Sequence, residues 1–390
     1  MDVDGPFVFG LVVKCQSAGF THQEFSSVGR EDSVYMTTTS DLHVVETRPL
    51  VPPAMLHQDF PIDQASIHTV SSARRRIQAI LSGEDSRILV IVGPCSVHDV
   101  AAARDYASQL AALRNRFANQ LEVVMRVYFE KPRTTVGWKG LINDPHLDNS
   151  YDINTGLRRA RSLLVDLTRE GIPCATELLD PVVPQYIADL ISWTAIGART
   201  TESQTHREMA SGLSMPIGYK NGTDGSASIA VDAIQAASRP HHFLGINADG
   251  QASIVSTTGN PYGHLVLRGG KSGSNYHLEA VEGAVNDLRK SGLVDRLMVD
   301  CSHGNSNKDY RRQVDVLRAV ADQVRTGSTH IMGVMLESHL VEGNQKLPSD
   351  LTSPPLEHLT YGQSITDACI NMATTEELFE TLASAVDEAK

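Results

Sequence analysis

The chain has 390 residues, of which 41% are hydrophobic, so it can bury a large core in one big domain or in two smaller ones. Its formal net charge of −12 argues against a nucleic-acid-binding surface and against a surface for anionic membranes. No apolar run in the sequence is long enough to span a membrane. Five cysteines without a Cys-x-x-Cys pair argue against a disulfide framework and fit a reducing cytoplasm.

The first 86 residues differ in pattern from the rest of the chain. Residues 1–35 show no sustained periodicity, and we predict a disordered extension there. Met36 opens a polar stretch, and we hypothesise that it is the true initiator; a native mass that includes residues 1–35 would refute this. Residues 36–86 are predicted to form a proline-containing arm and a helix that ends at Gly83. Residues 87–390 are predicted to form the catalytic barrel.

An apolar strand, a polar residue at its end and an amphipathic helix repeat from residue 87 onward. The predicted strands are 88–94, 122–129, 173–178, 193–198, 215–219, 264–268, 296–301 and 330–336. Eight such units predict an α/β fold, a (β/α)8 TIM barrel, in which active sites lie at the C-terminal strand ends. An open doubly wound sheet is the alternative, which the absence of Gly-x-Gly-x-x-Gly after the first strand disfavours. Segments 242–246 and 252–257 predict a hairpin inserted before strand six, and Ser96–Asp99 resembles a capping box.

One set of strand-end residues offers ligands for a metal ion. The set comprises Cys95, His303, Glu337 and, from the loop after strand eight, Asp367. A thiolate, an imidazole and two carboxylates suit one divalent ion of manganese, iron, cobalt or zinc. Taken singly, such a cysteine or histidine is more often a core residue or an ordinary polar group. The expected position of all four on one barrel rim favours a metal site.

A second set of strand-end residues is cationic. It comprises Arg126, Arg199, Lys220 and Arg268, with Lys131, Arg133 and Thr134 from the segment after strand two. So much positive charge around one rim would repel itself unless anions fill it. We therefore expect two phosphorylated substrates, one of which also carries a carboxylate. Lys220 could alternatively form a Schiff base, which a neighbouring metal makes less favourable because the metal can itself polarise a carbonyl.

Eight motifs around these residues closely resemble the type I 3-deoxy-D-arabino-heptulosonate-7-phosphate (DAHP) synthases. The resemblance extends from about residue 58 to near the end of the chain, and no site position departs from the family's pattern. The matching stretches are Gly93–Ser96, Arg126–Thr135, Gly197–Ser203, Gly218–Gly225, Leu267–Lys271, Asp300–Asn305, Glu337–Gln345 and Ser364–Ala368.

The resemblance implies the condensation of phosphoenolpyruvate (PEP) with erythrose 4-phosphate, the first step of the shikimate pathway. It assigns PEP binding to Arg126, Arg199, Lys220 and Arg268, with Glu177 near them. It assigns binding of the sugar phosphate to Lys131, Arg133 and Thr134, and it assigns binding of both the sugar hydroxyls and the metal to Asp367. Lys131 is our candidate proton donor. The arm at 48–63 resembles one that reaches across a subunit interface in this family, which implies a homodimer or homotetramer.

The resemblance also implies feedback inhibition by an aromatic amino acid. The family's inhibitor pocket corresponds to Leu213, Ser214, Phe243 and Gly245. Glycine at the last position goes with tyrosine-sensitive forms and serine with phenylalanine-sensitive forms, so we predict tyrosine as the inhibitor. Gly245 could instead serve only the backbone of the hairpin.

Two other functions remain open at this point. One is a different PEP-condensing barrel, such as the octulosonate-phosphate synthase, which would accept arabinose 5-phosphate. The other is a non-catalytic regulatory barrel that only binds aromatic amino acids. A missing metal ligand would favour the regulatory barrel, and the sequence lacks none of the four.

Overall fold

The computed structural model describes residues 39–133, 137–347 and 355–389. The predicted extension over 1–35, the proposed initiator Met36 and Thr134 lie outside the described residues. Contacts divide the chain into one unit that ends at Pro49 and a second unit, Leu50–Lys390. The described part of the first unit, residues 39–49, is exposed and contains neither a helix nor a strand.

The second unit contains eight parallel strands that close into a barrel. The barrel strands are β1 (Ile88–Gly93), β2 (Leu121–Arg126), β3 (Cys174–Glu177), β4 (Trp193–Ile196), β5 (Ile217–Lys220), β8 (Gly263–Leu267), β9 (Leu297–Asp300) and β10 (Ile331–Glu337). An antiparallel hairpin, β6 (His242–Ile246) and β7 (Ala252–Ser256), precedes β8, and a short parallel pair, β11 (Val341–Asn344) and β12 (Gln363–Ser364), follows β10. These observations confirm the predicted TIM barrel and the hairpin inserted before its sixth strand.

Helices alternate with the barrel strands. They are α1 (Pro53–Asp59), α2 (Gln64–Ser82), α3 (Val100–Arg116), α4 (Ile153–Arg169), α5 (Pro184–Ile187), α6 (Gln204–Ser211), α7 (Ser228–Ala237), α8 (Leu278–Lys290), α9 (Gln313–Arg325) and α10 (Met372–Glu388). Among the described residues, none of the helices is both long and apolar enough to cross a bilayer.

Helix α2 closes the N-terminal end of the barrel. Its residues Ile77, Ile80 and Leu81 pack into one buried cluster with side chains from the barrel interior, such as Trp193 and Met335. The helix ends at Gly83, as predicted, where φ is +83°. Because α2 fills this end, the chemistry expected of the fold is left to the opposite, C-terminal end of the strands.

Two local predictions were wrong. Strand β2 ends at Arg126, not at 129, because its last pair to β3 is Arg126 with Ala175; the apolar residues that suggested a longer strand, such as Phe129, are buried without strand pairing. Helix α3 begins at Val100 and is capped by Asp99, whose carboxylate accepts hydrogen bonds from the backbone N–H groups of residues 101 and 102. Ser96 does not cap the helix because its hydroxyl bonds to Thr366 at 2.7 Å.

Candidate active site

The C-terminal end of β1 brings Cys95 close to Arg126. Gly93 ends β1 with a φ of +154°, and a Cβ there would lie 2.7 Å from the backbone oxygen of Arg126. A larger residue would therefore push the two strand ends apart. The buried guanidinium of Arg126 donates to the backbone oxygens of Pro94 and Cys95 at 3.0 and 3.1 Å.

Arg126 forms a buried ion pair with Glu337 at the end of β10. Its Nη2 lies 3.0 Å from Glu337 Oε1, and the exposed fractions of the two side chains are 0% and 2%. The guanidinium also stacks 3.5 Å from the ring centre of Tyr128. These contacts hold the guanidinium in one position between β1, β2 and β10.

Lys131 reaches the same place from the segment after β2. Its Nζ donates to Cys95 Sγ at 3.1 Å and to the Cys95 backbone oxygen at 3.2 Å. Burial raises the pKa of the Cys95 thiol, and the nearby Glu337 carboxylate adds to this, whereas Lys131 acts in the opposite direction. A cation at the site would favour the thiolate, because only the deprotonated sulfur is a strong metal ligand.

The predicted metal ligands lie together. The ligand atoms of Cys95, Glu337 and Asp367 are all within 4.8 Å of one another. His303 lies beside this group, with Nε2 4.0 Å from Glu337 Oε1. Burial alone would raise the pKa of Asp367, but the neighbouring Lys131, His303 and Lys308 lower it, so the carboxylate is able to bind a cation.

The comparisons with known proteins agree with this geometry. Residues 59–380 match the family described as the DAHP synthetase I family. The chain belongs to the DAHP synthetase I family. Its enzymes condense PEP with erythrose 4-phosphate, so the predicted enzyme class, a DAHP synthase acting in the first step of the shikimate pathway, is confirmed.

This chain matches similar members of the DAHP synthetase I family over nearly the whole length of those proteins. The Phe-sensitive phospho-2-dehydro-3-deoxyheptonate aldolase of Escherichia coli K12 is 54% identical over 346 residues, which are 89% of this chain and 97% of that protein. The Trp-sensitive aldolase of the same strain is 54% identical over 352 residues, 90% of this chain and 99% of that protein. The solved aldolase of Francisella tularensis SCHU S4 superposes with a TM-score of 0.85 at 50% identity, covering 89% of this chain and 99% of that one.

The remaining cations predicted for the site of this DAHP synthase are held less tightly. Arg199 and Arg133 are exposed, and Arg268 is half-buried. The Nε of Arg133 donates to the Trp138 backbone oxygen at 2.8 Å, and the backbone N–H of Arg268 donates to the buried Asn221 at 2.7 Å. These side chains are therefore available to an anion at the rim.

Glu177, predicted near the PEP cations, ends β3 and is buried. It lies against Gly197 at the end of β4, where a Cβ would collide with the carboxylate. The glycine of the Gly-Ala-Arg-Thr-Thr motif thus makes space for Glu177, and Arg199 follows two residues later.

Sequence reasoning missed one buried residue of this site, Asp300. It ends β9, and its Oδ2 lies 3.1 Å from Lys220 Nζ and 2.9 Å from His303 Nδ1. Burial would raise the pKa of Asp300, but the neighbouring His303 and Lys220 lower it well below its usual range. The available signals were its place near a strand end, three residues before His303, and its position at the start of the Asp300–Asn305 motif.

The structure divides the four residues predicted for the inhibitor pocket. Leu213 and Ser214 line a cavity of about 470 Å³, with residues of α1, α2 and α5 on its other walls. Phe243 and Gly245 lie on the hairpin strand β6 and are not among the lining residues. Gly245 is paired regularly with Ser253, and its φ is not positive, which weakens the interpretation that it serves only the backbone.

Proposed function

We propose that this DAHP synthase is metal-dependent and that Cys95, His303, Glu337 and Asp367 hold one divalent ion. The observation that carries this proposal is the convergence of three donor atoms within 4.8 Å, with the His303 imidazole beside them. Sulfur, nitrogen and carboxylate oxygen together suit manganese, iron, cobalt or zinc better than magnesium or calcium. A bound divalent ion would supply Lewis acidity at the aldehyde oxygen of erythrose 4-phosphate.

The chain's own residues then orient the substrates. We infer that Arg126, Lys220, Arg199 and Arg268 hold the phosphate and carboxylate of PEP, so that its methylene carbon faces the aldehyde. Lys131 and Arg133, together with Thr134, would hold the sugar phosphate. Cations fixed in a buried site stabilise charge that moves during carbon–carbon bond formation and phosphate release. We infer that Lys131, whose Nζ lies 3.1 Å from Cys95 Sγ, gives a proton to the aldehyde oxygen as it becomes a hydroxyl.

Phosphate release from PEP with erythrose 4-phosphate tests this function. Chelation should abolish turnover, and divalent ions should restore it. Cys95→Ala should lose the metal and the activity while remaining folded, whereas the control Cys174→Ala, at a buried cysteine of β3, should keep both. Full activity of Cys95→Ala in excess chelator would refute the metal. Arabinose 5-phosphate in place of erythrose 4-phosphate should give little phosphate, since the chain belongs to the DAHP synthetase I family.

We also propose that no covalent imine forms at Lys220. Its side-chain nitrogen is buried and paired with Asp300 at 3.1 Å, so it is engaged with a carboxylate and not free to attack a carbonyl. Borohydride added with both substrates, of which erythrose 4-phosphate carries the aldehyde that an imine needs, should leave the mass of the Lys220 peptide unchanged. A trapped adduct on Lys220 would instead place the enzyme among the Schiff-base aldolases.

We propose tyrosine as the feedback inhibitor. The names of similar proteins specify phenylalanine and tryptophan, so they support an aromatic inhibitor but not this particular one. The support from this chain is Gly245, where an added Cβ would lie 2.7 Å from Val255 Cγ2 and would force that side chain to move. We infer that glycine leaves space for a phenolic hydroxyl, which a serine side chain would crowd.

Inhibition assays with tyrosine, phenylalanine and tryptophan, each alone, test this proposal. Tyrosine should inhibit most strongly. In Gly245→Ser, the preference should shift toward phenylalanine by about ten- to a hundredfold, because a poorly paired hydroxyl costs about 1–3 kcal/mol. Stronger inhibition of the unmodified enzyme by phenylalanine or tryptophan would show that Gly245 has been misinterpreted.

We propose a homodimer or homotetramer in the cytoplasm. The proposed association rests on the resemblance of the arm at 48–63 and on an exposed apolar pair of the hairpin, Leu244 and Ile254, with exposed fractions of 89% and 79%. The proposed location rests on the four described cysteines, which are all free thiols. Light scattering during gel filtration measures the assembly, and a monomer at micromolar concentration would contradict it.

A further inference from the structure

The carboxylate of Asp300 touches two residues to which the proposed function gives different roles. Its Oδ2 lies 3.1 Å from Lys220 Nζ, on the PEP side, and 2.9 Å from His303 Nδ1, on the metal side. The exposed fraction of Asp300 is 0%, and that of Lys220 is 3%. Because Asp300 and Lys220 are buried, their charges are only weakly screened, and a change at one partner of Asp300 is felt by the other.

The hydrogen bonds around Asp300 select one tautomer of His303. Ser302 Oγ donates to Asp300 Oδ1 at 2.7 Å and lies 2.8 Å from His303 Nδ1. Both neighbours of Nδ1, the Ser302 oxygen and Asp300 Oδ2, are therefore acceptors. The proton must lie on Nδ1, and the lone pair of Nε2 is left for the side that faces Glu337.

The backbone also holds the imidazole in this position. His303 has a φ of +55°, which is unusual for a residue other than glycine. Ser302 donates its backbone N–H to Asp300 Oδ1 at 3.0 Å, so the turn after β9 folds around this carboxylate. Asp300 thus fixes the turn, the ring orientation and the tautomer together.

We propose that Asp300 is a positioning residue that couples the metal site to the PEP site. It orients His303 for the metal, and through the same oxygen it holds Lys220 at the place of PEP. Lys220 competes with His303 for this oxygen, so removal of the lysine leaves the carboxylate to the imidazole and strengthens metal binding. This inference rests on the proposed metal site, and it concerns binding, so it can be measured without turnover.

Mn²⁺ affinity of the chelator-stripped protein, measured by equilibrium dialysis without substrates, tests the first half. Asp300→Asn keeps the shape but removes the charge, and we expect the Kd for Mn²⁺ to rise about ten- to a hundredfold, as changes behind a metal-binding histidine do. The control Asp295→Asn removes the same charge from an exposed pair with Arg289 and should leave the Kd within about twofold. An unchanged Kd in a folded Asp300→Asn protein would overturn the proposal.

A double-mutant cycle tests the coupling. Lys220→Met should tighten Mn²⁺ binding at least about fivefold when Asp300 is present, and by clearly less in the Asp300→Asn background. Independent effects would overturn the shared role of Asp300. If Asp300→Asn does not fold, Lys220→Met alone decides, and an unchanged Kd refutes the proposal. Retention of Mn²⁺ by Cys95→Ala would instead refute the metal site itself.

Discussion

The two halves of the catalytic rim differ in how far the protein neutralises its own cations. In the inner half, Arg126, Lys131 and Lys220 are buried and contact Glu337, Cys95 and Asp300, respectively. In the outer half, Arg133, Arg199 and Arg268 are exposed or half-buried, and no carboxylate of the described residues pairs with them. The inner half is therefore preorganised by folding, whereas the outer half has cations that could pair with the substrate anions of the proposed function.

This difference separates two kinds of mutational effect. A change in the inner half breaks contacts that exist without substrate, so it should lower both stability and turnover. A change in the outer half would remove contacts that, under the proposed function, form only with substrate, so it should lower binding and leave stability nearly unchanged. The comparison fails if the two halves respond alike.

The largest effect is expected for Arg126→Met. The change leaves the Glu337 carboxylate 2% exposed and without its cation, and breaking such a buried pair costs about 3–5 kcal/mol. Loss of a fixed donor from the site should also lower kcat by at least about a hundredfold. Thermal unfolding of the metal-stripped protein, compared with the surface control Arg116→Met, measures the first effect. An unchanged Tm would show that the inner half is not preorganised by this pair.

A smaller effect, confined to binding, is expected for Arg199→Gln. The side chain is exposed, so we expect the Tm to stay within about 2 °C. Loss of a charge-assisted hydrogen bond to PEP should raise the KM for PEP by about ten- to a hundredfold. Steady-state kinetics with PEP varied at saturating erythrose 4-phosphate measures this. A large fall in Tm with an unchanged KM would reverse the comparison.

The barrel could be predicted because its strands are recognisable from the sequence pattern alone. Strands such as Ile88–Gly93 are apolar on both faces and recur with a helix between them. The exact end of β2 could not be predicted, because the residues after Arg126 are as apolar as a strand but lose their pairing to β3. Ser96 similarly has the sequence of a helix cap, but its partner, Thr366, lies 270 positions away.

Most of the predicted site residues could be found because they follow the ends of strands. Cys95, Glu337 and Asp367 could be grouped because a barrel brings its strand ends to one rim. Asp300 could not be assigned, because its role depends on Lys220 from β5 and on the turn that aims His303 at it. Of the predicted inhibitor residues, Leu213 and Ser214 line one cavity, whereas Phe243 and Gly245 do not, because the hairpin that carries them is an insertion whose position does not follow from strand order.

The smallest effect concerns Glu130, which lies next to Lys131 but outside the ion pairs of the inner half. Burial raises the pKa of this carboxyl to about 8, and the nearby carboxylates of Asp180 and Glu177 add to the shift. The backbone N–H groups of Leu179 and Asp180 donate hydrogen bonds to the carboxyl and lower its pKa, but by less than the other causes raise it. Between its ordinary pKa near 4.5 and about 8, the folded protein therefore holds a proton that the unfolded chain has lost. Stability falls as the pH rises through this window and levels off above it.

Glu130→Gln removes this titration and keeps an oxygen that can accept from the backbone of the loop after β3. Near pH 5, where the folded carboxyl is protonated, the variant and the unmodified protein should have similar Tm values. Near pH 8.5 the unmodified protein should be the less stable of the two, by a few degrees, because it must bury a charge that has no ion-pair partner among the described residues. Thermal scans from pH 5 to 9 measure the difference, with the exposed Glu170→Gln as the control. A difference that grows toward acid pH would mean that Glu130 is charged in the folded protein and belongs to the paired network of the inner half.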